Sequence, residues 1–251
     1  MSKIPVIVNG CLGKMGREAV KAVNEAEDLD LVASLDFEDD LRGRLAEYSS
    51  SVVVDFTHPS SAFKNCQTIL EAGCHGVIGT TGLTEDQFKT LEKDCADKGH
   101  GFFIAPNFAI TAVLMMRFAA EAAKHMERAE IIELHHPAKA DSPSGTAVKT
   151  AEMMAASREE AGLPDFEGPD SEKELIEGAR GGAYRGIRLH SVRMPGQLAN
   201  QEVLLGAPGQ TLSIRQDTID RSCFMPGVVL ACRRVRELDG LVVGLDRLLF
   251  G

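Results

Sequence analysis

IPVIVNGCLGKMGR, residues 4–17, decides the fold. Ile4–Val8 is a short run rich in β-branched apolar residues, stopped by Asn9 and Gly10, and it reads as a buried strand. Gly10, Gly13 and Gly16 follow at intervals of three, and Ala19, Val20, Ala22, Val23 and Ala26 then recur at helical spacing. Strand, glycine turn and helix in that order bring backbone N–H groups and the positive end of a helix close to a pyrophosphate. The common dinucleotide fingerprint is G-x-G-x-x-G, and this turn departs from it at the middle glycine. Taken alone it is equally a flexible strand-to-helix turn. The context adds weight: LVASL (Leu31–Leu35) is another strand, and Asp36 ends it twenty residues past Gly16. A carboxylate there can accept hydrogen bonds from both ribose hydroxyls. Asp36 followed by Phe37, with no arginine beside it, favours NADH, because a 2′-phosphate would meet a carboxylate. Lys14 and Arg17 leave NADPH open.

The same alternation continues outward. SVVVDF (Ser51–Phe56) is a buried strand; a helix follows His58-Pro59 with Ala62, Phe63, Cys66, Ile69 and Leu70 on one face and Gly73 as its stop. Gly76–Ile78 is a strand, Thr84–Gln87 a capping box opening a helix, and Gly101–Ala105 a fifth strand. Continuous apolar strands alternating with helices require a parallel sheet covered on both faces. The reading is α/β: a Rossmann-like doubly wound sheet. Beyond residue 107 the pattern changes. A helix near Thr111–Met126, the strand AEIIEL and a helix near Ala147–Ala156 lead into a loop-like stretch, 157–183, with a short acidic helix. IRLHSVR, QEVLLG and TLSIRQ then alternate like strands with one open face, before a last helix around Phe224–Val235 and a short tail. This is an inserted α+β domain with a mixed open sheet.

Composition narrows the function. The 251 residues carry 27 basic and 37 acidic side chains, a net charge of −10, which repels nucleic acid. No apolar run reaches the ~18–20 residues of a membrane span. The N-terminus has a strand where a signal peptide would have its apolar core, so the chain is expected in the cytoplasm. Its six cysteines show no metal-ligand spacing and read as reduced thiols.

Two further stretches sit where parallel sheets bind ligands, past strand C-termini: Gly79-Thr80-Thr81-Gly82 and Ala105-Pro106-Asn107-Phe108. Separately each is a polar connection; together they form a crevice rim for a nicotinamide ring. The most informative stretch is ELHHPAKADSPSGTA (Glu133–Ala147). Tandem His135 and His136, with Lys139 close behind, occupy a loop between strand and helix. Ser144, Gly145 and Thr146 open that helix and offer N–H groups and hydroxyls to an anion. Imidazole moves protons near neutral pH, and a lysine can donate one. Two histidines could also be half a metal site, but no third ligand stands at the spacing to complete it, so no metal is expected.

These motifs, in order and over essentially the whole chain, resemble the 4-hydroxy-tetrahydrodipicolinate reductase family: the glycine turn, D-F-T at Asp55–Thr57, G-T-T-G at Gly79, the His-His motif, and M-P-G at Met225–Gly227. The resemblance implies reduction of 4-hydroxy-tetrahydrodipicolinate by NAD(P)H, with loss of water, in the diaminopimelate route to lysine. It implies His135 as acid/base and Lys139 as proton donor. His136, Ser144, Gly145, Thr146 and Thr81 fall on or beside positions holding the substrate's carboxylates. Gly10, Cys11, Leu12, Gly13, Lys14, Met15, Asp36, Gly79, Thr80, Thr81, Ala105, Pro106, Asn107 and Phe108 fall on the cofactor contacts. It also implies a homotetramer. Residues 1–107 and 221–251 would bind the dinucleotide, and 108–220 the substrate and partner subunits. Two departures stand out: the chain is compact between Asp36 and Ser51, where longer relatives carry an extra strand, and Phe37 replaces the arginine of NADP-tolerant members. The competing readings are another NAD(P)-dependent reductase of amino-acid metabolism and a catalytically silent dinucleotide sensor. A sensor need not keep the His135/Lys139 pair. An acyl-enzyme dehydrogenase needs a nucleophilic cysteine, and the second half offers only Cys223 and Cys232, next to or within the last helix.

Overall fold

The computed structural model describes residues 2–168 and 173–251. In chain order the first elements are β1 (Ile4–Asn9), α1 (Lys14–Glu25), β2 (Leu29–Leu35), α2 (Leu41–Glu47) and β3 (Val52–Asp55). Next come α3 (Pro59–Glu71), β4 (His75–Ile78), α4 (Glu85–Lys98) and β5 (Phe102–Ile104). All of β3 and β5 is buried, as a parallel strand between two helical layers must be. Local chemistry sets the helix ends: Pro59 sits in the first turn of α3, Thr84 and Gln87 cap α4 reciprocally, and Gly99 ends α4 at φ +65°.

The chain continues through α5 (Ile110–Ala123), β6 (Arg128–His135), α6 (Gly145–Glu160), β7 (Gly182–Tyr184), β8 (Ile187–Arg193), β9 (Ala199–Ala207) and β10 (Gln210–Thr218). It ends with α7 (Met225–Arg234), β11 (Leu241–Val243) and α8 (Leu245–Phe250). Two compact units result, Met1–Ile110 with Arg221–Gly251, and Thr111–Asp220.

The first unit holds a six-stranded sheet in the order β11-β5-β4-β3-β1-β2, parallel at every pair. The strand order reverses between β1 and β3, so the crevice beyond their C-terminal ends is the switch point where such sheets take ligands. Ile7, Val53, Ile78, Leu91 and Phe102 are fully buried in its core, each stabilising by roughly 1.5–3 kcal/mol. The second unit holds a five-stranded mixed sheet, β10-β9-β6-β8-β7, in which β6 and β8 run parallel and the other pairs antiparallel. Ile131, Ile187, Leu189, Val203 and Leu205 face α5 and α6, while the alternate residues face away from both helices.

Several elements differ from the sequence expectation. α6 runs on to Glu160, through residues read as loop, because Arg158 is buried there. Its guanidinium donates to the carbonyls of Ala123, the last residue of α5, of Met126 just beyond it and of Pro164, and stacks on Phe166 at 4.2 Å. The expected acidic helix falls partly on residues 169–172, outside the described residues; beyond them, residues 175–180 form bends and turns rather than helix. The sequence reading did not anticipate α2, β7, β11 and α8, each of seven residues or fewer and too short for a period to register.

Candidate active site

The glycine turn lies at the switch point. Gly10 has φ +85°, and a Cβ there would stand 2.5 Å from the carbonyl oxygen of Phe56; a Cβ on Gly16 would stand 2.0 Å from that of Gly10. Strand, turn and helix are therefore packed backbone to backbone, which only glycine permits. The N–H groups of Gly10 and Cys11 bond to Leu35, that of Gly13 to Gly10, and that of Leu12 to the Asp36 carboxylate at 2.7 Å. No side chain caps α1, which starts after Gly13 and has no acid in its first turn. The N–H groups of Lys14, Met15 and Gly16, which no helical carbonyl can reach, remain for an anion. The bonds from the Leu12 and Phe37 N–H groups hold the Asp36 carboxyl below its usual range. Asp39 stands beside it, accepting from the Asp36 N–H at 2.8 Å, and Phe37 is fully solvent-facing.

Gly10, Gly13 and Asp36 line a cavity of about 370 Å³, joined by Phe37, by Thr57 of the D-F-T motif, and by Asp39 and Asn65, which the sequence reading did not single out. The Asp55 carboxylate is fully buried and, among the described residues, meets neutral donors only: Asn9 at 2.8 Å, Asn65 at 2.9 Å, the Thr57 N–H at 3.2 Å, Thr57 Oγ1 at 2.8 Å and Thr80 Oγ1 at 2.6 Å. This ring ties the ends of β1, β3 and β4 to α3. It also engages the Thr80 hydroxyl, while Thr81 is exposed. Gly79 is packed so closely that a Cβ would fall 2.0 Å from the Phe56 ring. Ala105 and Phe108 are buried, Phe108 edge-on to Phe56 and Phe103, so they can offer a ligand little beyond backbone; Pro106 is exposed.

In the second unit, β6 delivers Glu133 and His135 to the same end of the sheet. Glu133 is completely buried, yet its carboxylate accepts from Arg193 Nη1 at 2.9 Å and Nη2 at 2.8 Å, from the Ser144 N–H at 3.3 Å, and from His135 Nδ1. Burial alone would raise its pKa; Arg193, Ser191 and His135 outweigh that and hold it below the usual range. Burial pushes the His135 imidazole below the ordinary histidine range, helped by Lys139 and Arg193 and opposed by Glu133. Lys139 donates to Asp141 at 2.6 Å. Ser144 caps α6 by accepting from the Ala147 N–H at 3.2 Å, and a Cβ built on exposed Gly145 meets nothing within 4 Å. The structure thus joins His135 and Ser144 through Glu133, with Lys139 near His135 and Gly145 following Ser144 at the start of α6. Arg193 was missed in the sequence because it lies on β8; it is the register partner of His135. Among the described residues no cluster could hold a metal ion.

Comparison with known proteins agrees across both units. The family model described as dihydrodipicolinate reductase, N-terminus, matches residues 4–108, and that described as dihydrodipicolinate reductase, C-terminus, matches residues 111–249. A 4-hydroxy-tetrahydrodipicolinate reductase from Listeria innocua is 49% identical over 264 aligned positions, covering 97% of this chain and 99% of its own. One from Synechocystis sp. is 46% identical, covering 98% of each. A solved structure, dipicolinate-bound dihydrodipicolinate reductase from Paenisporosarcina sp. TG-14, superposes with a TM-score of 0.88 at 38% identity over 98% of this chain and 99% of that one.

Proposed function

The chain belongs to the dihydrodipicolinate reductase family, and from that premise we propose that it reduces 4-hydroxy-tetrahydrodipicolinate to tetrahydrodipicolinate with NAD(P)H, releasing water, in the diaminopimelate route to lysine. The observation that carries this reading is the grouping of His135, Lys139 and the open start of α6 at one end of β6. The turn fits a dinucleotide: Gly10 and Gly16 allow no side chain, and the N–H groups opening α1 have no cap. Lys14–Gly16 would hold the pyrophosphate and Asp36 the ribose, and the bound nicotinamide supplies the hydride. The test couples the protein to the synthase that makes the substrate from pyruvate and aspartate semialdehyde. Synthase-dependent oxidation of NADH is expected; its absence would remove the assignment.

The chain's own residues do the rest. The substrate is a dianion, and the α6 start at Ser144, Gly145 and Thr146, with His136 and Lys139, neutralises its carboxylates. Lys139 is paired with Asp141, so an arriving carboxylate competes with that acid for the ammonium. His135 moves the proton that completes reduction of the ring. Positioning and charge stabilisation carry most of the acceleration. Gly145→Ala places a methyl in open space at the helix start and should leave stability unchanged or slightly raised. The Michaelis constant for substrate should rise about tenfold, the loss of roughly one hydrogen bond to a charged group; steady-state kinetics and thermal unfolding check both.

NADH is the preferred cofactor in this reading, since a 2′-phosphate would face both Asp36 and Asp39 with no arginine at position 37. Titration with each cofactor should show NADH binding at least about tenfold tighter, roughly 1.4 kcal/mol. Asp36→Asn with Asp39→Asn should narrow that gap. The homotetramer rests on the family resemblance together with the sheet face of the second unit that α5 and α6 leave uncovered; sedimentation should show a four-chain species. Among the described residues no helix is long and apolar enough to cross a membrane, in keeping with a cytoplasmic enzyme.

A further inference from the structure

We propose that Glu133 is a positioning residue: held by Arg193, it fixes His135 through Nδ1 and leaves Nε2 as the atom that moves the proton. This rests on His135 being the proton-moving residue of the reading above. The donors around Glu133 set its protonation. Both of its oxygens accept from Arg193, and one also accepts from the Ser144 N–H. Arg193 cannot lose its proton, so the carboxylate stays ionised and can only accept. The contact between Glu133 and His135 Nδ1 therefore has one polarity: Nδ1–H donates. The neutral ring is then the Nδ1–H tautomer, and Nε2 is bonded by none of the described residues.

The same carboxylate reaches three parts of the candidate site. It holds His135 from β6, Arg193 from the end of β8, and Ser144, the cap of α6. Arg193 Nη2 in turn donates to the Asp141 carbonyl at 2.7 Å, fixing the loop that carries Lys139. The charged groups around the imidazole are Glu133 on its own strand, Arg193 on β8, and Lys139 and Asp141 on the following loop, with His136 adjacent in sequence. Of these, Glu133 is the anion in direct contact, so it is what favours the imidazolium against burial and two cations.

Two measurements test this. In the whole protein labelled at histidine, with His135→Asn to assign the resonance, imidazole nitrogen NMR should find neutral His135 protonated at Nδ1; protonation at Nε2 would overturn the proposal. Glu133→Gln removes the anion, so the imidazolium becomes less stable and the alkaline fall of kcat should begin about one pH unit lower. Turnover near neutrality should drop at least about tenfold, with NADH affinity unchanged. A folded variant whose alkaline limb stays in place would overturn it as well, since a merely structural role lowers the active fraction without moving the limb. If the variant does not fold, the tautomer decides alone. The tautomer does not depend on the identity of the substrate: a wild type inactive with the synthase sinks the functional reading, while the tautomer still reports on Glu133.

Discussion

Lys139→Ala lowers turnover by about 10²–10³-fold, the range typical of a lost group that stabilises charge in the transition state, and leaves NADH affinity within a factor of about two. The expected split follows from where the residue sits. Lys139 is in the second unit, in the loop between β6 and α6, half-buried beside His135 and paired with Asp141. The dinucleotide turn and Asp36 are in the first unit. Removing the ammonium takes away a cation facing a dianionic substrate and leaves Asp141 without its lysine partner. Steady-state kinetics beside a fluorescence titration of NADH separates the two effects. Unchanged turnover would remove Lys139 from the mechanism; a large loss of NADH affinity would mean that the two units do not divide the ligands as proposed.

Gly10→Ala has the second large effect, on the cofactor. The residue has φ +85°, and a methyl there would stand 2.5 Å from the Phe56 carbonyl oxygen, a backbone atom that cannot swing away. Forcing an alanine into that conformation costs about 1–3 kcal/mol, and relieving the clash moves the turn that presents Lys14–Gly16. NADH binding should weaken roughly a hundredfold, about 2.7 kcal/mol, with a fall in melting temperature. A variant binding NADH as the wild type does would contradict the placement of the pyrophosphate.

Much of this was legible in the sequence, for identifiable reasons. Val52–Val54 and Phe102–Ile104 are unbroken apolar runs because both faces of their sheet are covered, and the glycines at 10, 13 and 16 are there because backbone approaches backbone. His135, His136 and Lys139 stand out because three groups able to hold or move a proton fall within five positions, where β6 gives way to the loop that follows it. What sequence could not give was set by pairing between distant segments. Arg193 meets Glu133 across sixty positions because β8 lies beside β6 in one register. The donors around Asp55 come from residues 9, 57, 65 and 80, which no spacing rule connects. The net charge of −10 describes the whole chain, whereas the stretch from His135 to Lys149 carries two histidines and two lysines against Asp141 alone.

The central claim is that this chain delivers a hydride to a dicarboxylate ring, and isotope transfer tests it most directly. With the synthase supplying substrate and NADH carrying deuterium on the transferred face of C4, mass and NMR analysis of the product should find one deuterium on a ring carbon, at C4, and a solvent proton on the neighbouring ring carbon next to the imine. Product formed without deuterium, or no enzyme-dependent product at all, would contradict it.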